Sequence, residues 1–292
     1  MRYSIRHVTR YQYPVAVTQA MNLGYLIPRT TARQQCLSNQ VSVSPQVATS
    51  MTREDYFGNQ AFHFTVENSH QTLEVVATSQ VDVRAAADWP SLNIGSTCAQ
   101  VRDRLASSKE LETLLAREYV LASPMIAFDQ QLADFATPFL DDDRPFLSSV
   151  RELSAHIYDQ FSFDPGFSGV STPVSEVFKH RKGVCQDFAH LAIACLRSLG
   201  YPARYVSGYL ETLPPPGQTK LVGSDATHAW FEVYSPGEGW FEFDPTNNSI
   251  PGEQHIVTAW GRDYTDVTPL KGVVFGGGRG HSLSVSVDVN RV

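Results

Sequence analysis

Apolar residues recur at every second position through much of the chain before residue 85, which is the pattern of strands with one buried face. Phe62, Phe64 and Val66 alternate with His63 and Thr65, and the same period runs from residue 73 to residue 83. Prolines and a Phe-Gly-Asn segment interrupt these runs as turns would. The pattern predicts a β-rich N-terminal domain over residues 1–90, arranged as an antiparallel β-sandwich.

The period changes after residues 88–97, a Pro- and Gly-containing stretch that is typical of a linker. Residues 101–119 are rich in Leu, Ala, Glu and Arg, which favour helix. Between residues 145 and 161, apolar positions fall at helical spacing. Residues 172–180 begin with a Thr-Pro pair suited to cap and start a short helix. We therefore assign residues 91–292 to a second domain that begins with helices.

Beyond residue 200 the period returns to two, so the C-terminal part is predicted to be mostly strand, including residues 283–289. Three glycines at 276–278 lie between two strand-like stretches and lack the Lys-Ser/Thr of a phosphate loop. They predict a hairpin connection.

Composition narrows the classes of partner. The chain has 292 residues, of which 42% are hydrophobic, and a formal net charge of -7 without a concentrated Lys/Arg block. This argues against a nucleic-acid or membrane partner and favours peptides, proteins or small molecules. The N-terminus lacks the apolar run of a signal peptide, and no stretch approaches the roughly 18 apolar residues of a membrane span. We expect a cytoplasmic protein, whose oligomeric state the sequence does not indicate.

The four cysteines are scattered and form no C-x-x-C pair, so they are predicted to be free thiols. Three of them are predicted to pack in the core as small apolar side chains: Cys36, Cys98 and Cys195. Cys185 differs, because it follows Gly183 and the apolar residues after it fall at helical spacing. It is therefore predicted to lie in the first turn of a helix, where unpaired N–H groups and the helix dipole favour a thiolate.

A second segment with candidate catalytic side chains spans residues 226–245. It is predicted to be a hairpin that turns at residues 235–237. One face is apolar, and the other carries His228, Trp230, Glu232, Trp240, Glu242 and Asp244. Pairing centred on Pro236 would place His228 directly opposite Asp244, with Cβ atoms about 5 Å apart. Cysteine, histidine and aspartate then have the roles of nucleophile, general acid/base and orienting group that acyl transfer requires.

Several segments in a fixed order carry a family resemblance: KGVCQDFAH at 182–190, LGYPARYVSGY at 199–209, HAW at 228–230 and FDPT at 243–246. Over about residues 145–250 they resemble the core of the bacterial transglutaminase-like family. The resemblance implies an α+β, papain-like core of helices packed on an antiparallel sheet, preceded by the N-terminal β-sandwich. It also implies that Cys185, His228 and Asp244 form a catalytic triad.

By this resemblance, the predicted function is a cysteine-dependent amide hydrolase, a peptidase or amidase, that acts on a peptide or protein through a thioester. The chain has no calcium loop of the kind D-x-[DN]-x-[DN]-G, which weakens the analogy with calcium-activated cross-linking enzymes. We expect no metal and no cofactor. Two alternatives remain: a protein-glutamine transamidase or deamidase, and a catalytically inactive binding module that retains the fold.

Three further residues are candidates for substrate binding. Gln186 follows the cysteine and could border the cleft, while Trp230 and Trp240 share the hairpin face of the triad. Ordinary packing remains an equal alternative for both tryptophans. His190 is rotated away from Cys185 on a helix, which makes it a poor metal partner. It and Asp187 are predicted to make structural hydrogen bonds.

Overall fold

The computed structural model describes residues 1–84, 92–212 and 226–292, and it confirms an α+β fold. The strands are β1 (Arg2–Gly24), β2 (Gln34–Ser44), β3 (Thr49–Glu54), β4 (Gln60–Val66), β5 (His70–Val83), β6 (Ser162–Phe163), β7 (Lys182–Gly183), β8 (Ala203–Leu210), β9 (Ala226–Ser235), β10 (Gly239–Phe243), β11 (His255–Gly261), β12 (Leu270–Gly276) and β13 (Ser282–Arg291). The helices are α1 (Cys98–Ser107), α2 (Leu111–Ala116), α3 (Gln130–Ala136), α4 (Phe146–Gln160), α5 (Val174–His180), α6 (Cys185–Ser198) and α7 (Tyr264–Val267). Among the described residues, none of these helices has the length and apolar character needed to cross a bilayer.

The N-terminal strands form one hydrogen-bonded antiparallel sheet of seven strands, with the order β2-β5-β1-β4-β3 and with β12 and β13 also paired to β1. The 23-residue strand β1 holds this sheet together. Its first half pairs with β5 and β13, and its second half with β4 and β12. The alternating apolar residues pack into a core that includes Val17, Phe64, Val66, Leu73 and Val75.

The two C-terminal strands belong to this N-terminal sheet, which corrects their assignment to the domain at 91–292. Both run along β1 in the same direction, β12 beside its second half and β13 beside its first half. The glycines between them therefore join two successive segments, and the predicted hairpin is wrong. Gly276, Gly277 and Gly278 have φ of 97°, 79° and 73°, which glycine adopts without a Cβ clash. The predicted boundary between residues 90 and 91 lies outside the described residues.

The helical predictions are confirmed for α4 and α5, which match residues 145–161 and 172–180 closely. The predicted helix at 101–119 is instead divided into α1, α2 and a 3₁₀ turn at Arg117–Val120. The break falls at two adjacent serines. There the Ser108 side chain accepts a hydrogen bond from the backbone N–H of Glu110, which competes with helix continuation.

Helix α6 is the centre of the second core. It packs against α3 and α5, and against the sheet β10-β9-β8-β11, whose strands are antiparallel. Its residues from Asp187 to Arg197 are buried, so the helix is enclosed on all sides. The N-terminal sheet docks on this second sheet through an apolar cluster of Tyr3, Ile5, Val81, Val83, Tyr209, Ile256, Val287 and Val289. The first turn of α6 and the strands β8 and β9 therefore have fixed relative positions.

Candidate active site

The N-terminus of α6 positions Cys185. The Val184 backbone N–H donates to the Asp187 carboxylate at 2.8 Å, and the Ser168 hydroxyl donates to the same oxygen. Burial raises the pKa of Asp187, and these two hydrogen bonds oppose that effect. A Cβ on Gly183 would lie 2.8 Å from the Asp187 Cβ, so glycine permits this close approach. Asp187 thus has the structural role that we predicted.

The hairpin β9–β10 carries the histidine and ends beside the aspartate. Its pairing is centred on Gly237, since Ser235 pairs with Gly239 and Phe231 with Phe243. The predicted centre at Pro236 is therefore wrong by one residue. The turn needs an extra residue, with positive φ at both Gly237 and Gly239. Moving the centre by one residue shifts each partner by two positions, so Asp244 stays on the His228 face and becomes its diagonal neighbour.

Cys185, His228 and Asp244 come together at one end of the sheet. His228 Nε2 lies 2.7 Å from Asp244 Oδ2, and the Cys185 thiol is the second group that acts on the imidazole. Burial acts to lower the pKa of His228, but the hydrogen bonds and charges of its two partners raise this pKa to about 10. The cationic imidazole is therefore the favoured form beside the sulfur. Cys185 is partly exposed, whereas Asp244 is fully buried.

Asp244 is held by a dense set of donors. Its Oδ1 accepts backbone N–H bonds from Thr246 at 2.9 Å and Asn247 at 3.2 Å. Its Oδ2 accepts the Asn247 side-chain amide at 2.7 Å in addition to His228. Burial acts to raise the pKa of Asp244, but these donors hold it below its ordinary value. The carboxylate stays ionised and orients the imidazole without taking its proton.

His255 is a site residue that the sequence interpretation missed. Its Nε2 lies 3.1 Å from Asp244 Oδ2, and its Nδ1 faces the Gly252 backbone N–H at 3.4 Å. Because a backbone N–H only donates, Nδ1 accepts and the proton lies on Nε2, which donates to Asp244. Burial lowers the pKa of His255, which favours this neutral tautomer. No local pattern marks His255, since β11 pairs with β8 and not with the hairpin.

Asn247 was missed as well, although a signal existed for it. It follows Asp244 by three residues in the sequence Asp-Pro-Thr-Asn. An aspartate that begins such a segment commonly accepts backbone N–H groups from residues two and three positions later. The site residue Asn247 could have been proposed from that turn.

Trp230 and Gly208 shape the space around the imidazole. The Trp230 indole is stacked beside the His228 ring with centroids 5.9 Å apart, and its Nε1 donates to Glu242 at 3.0 Å. Gly208 pairs with His228 across β8 and β9. A Cβ there would lie 2.1 Å from the Ile256 carbonyl oxygen and 2.6 Å from the Trp230 ring. Trp230 is fully buried, so it shields the imidazole, and its predicted substrate contact stays a prediction.

The other two substrate-binding candidates have different surroundings. Gln186 is partly exposed next to Cys185, and its side-chain amide donates to the Val170 carbonyl at 2.9 Å. Trp240 lies near the turn end of the hairpin and contacts the rings of Tyr119 and Tyr234. This placement favours packing for Trp240, while Gln186 remains a candidate at the cleft.

His228, Asp244 and His255 also bring their ligand atoms within 4.8 Å of one another, which makes them a candidate metal-ligand set. Ligands about 2.1 Å from a tetrahedral zinc lie about 3.3 Å or more from each other. The two imidazole–carboxylate contacts, at 2.7 and 3.1 Å, are shorter than that. The arrangement is therefore that of direct hydrogen bonds.

A cysteine at a buried helix N-terminus that faces a histidine–aspartate pair on an antiparallel sheet defines a papain-like arrangement. Comparison with known proteins agrees. Residues 133–245 match the family model for the transglutaminase-like superfamily, and residues 3–82 match that for the bacterial transglutaminase-like N-terminal region. The chain belongs to the transglutaminase-like superfamily.

Three individual relatives illustrate the match. An uncharacterized protein of Mycobacterium tuberculosis is 38% identical over 292 residues, which cover 99% of this chain and 92% of the relative. A protein-glutamine gamma-glutamyltransferase of Pseudomonas aeruginosa is 31% identical over 124 residues, which cover 40% of this chain and 19% of the relative. The crystal structure of a candidate cysteine protease from Cytophaga hutchinsonii superposes with a TM-score of 0.74 at 21% identity, covering 100% of this chain and 92% of the other. This last likeness shows the shared fold.

Proposed function

We propose that this protein is a cysteine-dependent amide hydrolase that acts on peptides or proteins. The observation that carries the proposal is the grouping of His228 with the Asp244 carboxylate, 2.7 Å from its Nε2, and with the thiol of Cys185, which acts on the same imidazole. Cys185 is the nucleophile, His228 the general acid and base, and Asp244 the group that orients the imidazole. Gln186 borders the substrate cleft.

The proposed reaction has two halves. The Cys185 thiolate attacks the carbonyl carbon of the amide, and the C–N bond breaks as His228 gives its proton to the leaving amine. A thioester to Cys185 remains. Water then attacks the thioester while His228 takes the proton from it, which releases the carboxylic acid and restores the thiolate. The backbone N–H of Cys185 at the helix start is a donor for the developing oxyanion.

A second candidate function is transamidation or deamidation of protein glutamine. It is favoured by the Pseudomonas aeruginosa relative, whose name states a glutamyl transfer and which is 31% identical over 40% of this chain. In that reaction an amine, rather than water, would release the thioester; deamidation would use water on a glutamine side chain. The same three residues would act in all cases.

The primary test measures release of a new amine or of ammonia from a peptide library with wild type and Cys185→Ala. We expect Cys185→Ala to abolish turnover and Cys195→Ala, in the buried apolar face of α6, to retain it. Burial raises the pKa of Cys36, Cys98 and Cys195, so iodoacetamide should label Cys185 first. Undiminished turnover in Cys185→Ala would reject the proposal.

A second assay separates the two reactions. Wild type is incubated with a glutamine-containing acceptor and a fluorescent primary amine, with Cys185→Ala as the blank. Incorporation of the amine would establish transamidation. Ammonia release from glutamine without incorporation would indicate deamidation, and new N-termini would indicate peptide cleavage. An inactive binding module predicts none of these products and slow alkylation of Cys185.

A further inference from the structure

A cavity of about 780 Å³ lies between the N-terminal sheet and the helical part of the second core. Tyr11 and Leu283 contribute one wall, from strands β1 and β13. Phe128, Val170 and Tyr264 also line the space. This volume lies within the range of small-molecule and peptide side-chain pockets.

The cavity adjoins the first turns of α6. Its wall residue Val170 accepts a hydrogen bond from Gln186, the residue after Cys185, at 2.9 Å. The backbone N–H of its wall residue Tyr264 donates to His190, also on α6, at 3.1 Å. Two hydrogen bonds therefore tie two residues of the cavity lining to the helix that begins with Cys185.

A buried tyrosine of β8 packs against the cavity wall. The Tyr205 ring contacts the Tyr264 ring with centroids 6.3 Å apart. Burial raises the pKa of Tyr205 well above its ordinary value, and the nearby charges of Cys185 and Tyr264 add to this effect. The Tyr205 ring therefore packs against Tyr264, one of the residues that line the cavity.

The lining shows which chemistry the cavity accepts. Three of its apolar side chains are more than half exposed: Phe128 at 57%, Val170 at 59% and Leu283 at 52%. Among the described residues that line it, two are charged, Asp129 and Lys271. Asp129 caps α3 by accepting the Gln131 N–H at 2.8 Å, and Lys271 donates to the Thr265 carbonyl at 2.5 Å. With both charges engaged by the protein itself, the cavity suits an uncharged occupant.

We infer that this cavity is a specificity subsite that binds a large apolar side chain of the peptide that acylates Cys185. The inference rests on the proposed function and names the substrate class for it: peptides with an apolar residue close to the reacting amide. Burial of such a side chain against Phe128, Val170 and Leu283 removes apolar surface from water on both partners. A charged side chain would lose its hydration there without gaining a partner.

The test uses four peptidyl chloromethyl ketones that carry leucine or glutamate at the first or the second residue from the electrophile. The labelling rate of Cys185 is followed by mass spectrometry in the full-length protein. We expect leucine to give labelling about tenfold faster than glutamate at one of the two positions. Leu283→Asp should abolish this preference.

The matched control is Val285→Asp on the same strand. Val285 is 49% exposed, lies two residues beyond Leu283 on the same face, and is not part of the cavity lining. The Val285→Asp variant should keep the faster labelling by the leucine probe. Equal rates for leucine and glutamate probes at both positions, or an unchanged preference in Leu283→Asp, would overturn the subsite. Iodoacetamide separates the two proposals, because failure to label Cys185 with this small reagent would count against the proposed function itself.

Discussion

The Nε2–H of His255 donates to the same oxygen of Asp244 that His228 contacts, so one buried carboxylate holds two imidazoles. The rings of the two histidines are 6.0 Å apart. Only His228 is also acted on by the Cys185 thiol. His255 is therefore a positioning residue, which acts on the reaction by fixing the carboxylate.

Replacement of His255 should show whether this residue affects the orientation of Asp244 and His228 or the binding of substrate. His255→Phe removes the donor to Asp244. We expect kcat to fall about tenfold while KM stays unchanged. This loss is small beside the roughly 100- to 10,000-fold rate enhancement that general acid–base catalysis contributes, because His228 itself is retained. His255→Gln keeps a donor and should recover part of the loss. Steady-state kinetics on a peptide cleaved by wild type provides the measurement. His70→Phe, at another buried histidine in the N-terminal sheet, is the control for folding effects. A normal kcat in His255→Phe would show that the carboxylate needs only its other donors.

The alkaline pH dependence should report on His228. The pKa of this imidazole is raised to about 10, and the proton is needed for the leaving amine. We therefore expect kcat/KM to decline only as the pH rises towards 10, rather than near 6.5. Asp244→Asn removes the charge that stabilises the imidazolium and so lowers the pKa of His228. The activity that remains in this variant should therefore decline at a lower pH than the activity of wild type. A pH–rate series for both proteins tests this. An identical decline in the two would argue that His228 does not supply the proton.

Local patterns were sufficient to predict the helix of Cys185 and the shared face of His228 and Asp244. Each depends on periodicity within a short segment. A shift of the hairpin centre by one residue moves each pairing partner by two positions, so it leaves both residues on the same face of the sheet. His255 was not predictable in this way, because it reaches Asp244 only after β11 pairs with β8. The placement of β12 and β13 was missed for the same reason. Their apolar period predicts strands, but their pairing residues in β1 lie roughly 250 to 290 residues earlier in the chain.

The glycine that pairs with His228 gives a prediction about stability. In Gly208→Ala, the new Cβ would overlap the Ile256 carbonyl and the Trp230 ring, at 2.1 and 2.6 Å. Displacement of a strand and a buried indole should lower the free energy of unfolding by about 1–3 kcal/mol. Urea denaturation followed by tryptophan fluorescence measures this. Gly252→Ala is the matched control, since a Cβ on Gly252 would meet no described atom within 4 Å. Equal stability of the two variants would contradict the close approach.

The buried pair of Arg204 and Glu232 gives the last prediction. The Arg204 guanidinium donates to Glu232 and lies between the rings of Trp240 and Trp260, at 4.0 and 3.9 Å from their centroids. Arg204 and Glu232 are only 8% and 5% exposed. Arg204→Met would leave the carboxylate buried without this partner, and we expect the free energy of unfolding to fall by about 3–5 kcal/mol.

Two further variants make the Arg204 experiment decisive. Arg2→Met breaks an exposed ion pair with Asp82 and should leave the denaturation midpoint almost unchanged. The double variant Arg204→Met with Glu232→Met removes both charges, so it should regain much of the stability lost in Arg204→Met alone. Chemical denaturation compares the free energies of unfolding of Arg204→Met and of the double variant with that of wild type. A double variant no more stable than Arg204→Met would mean that the stacking of Arg204 between Trp240 and Trp260, rather than neutralisation of Glu232, stabilises this region.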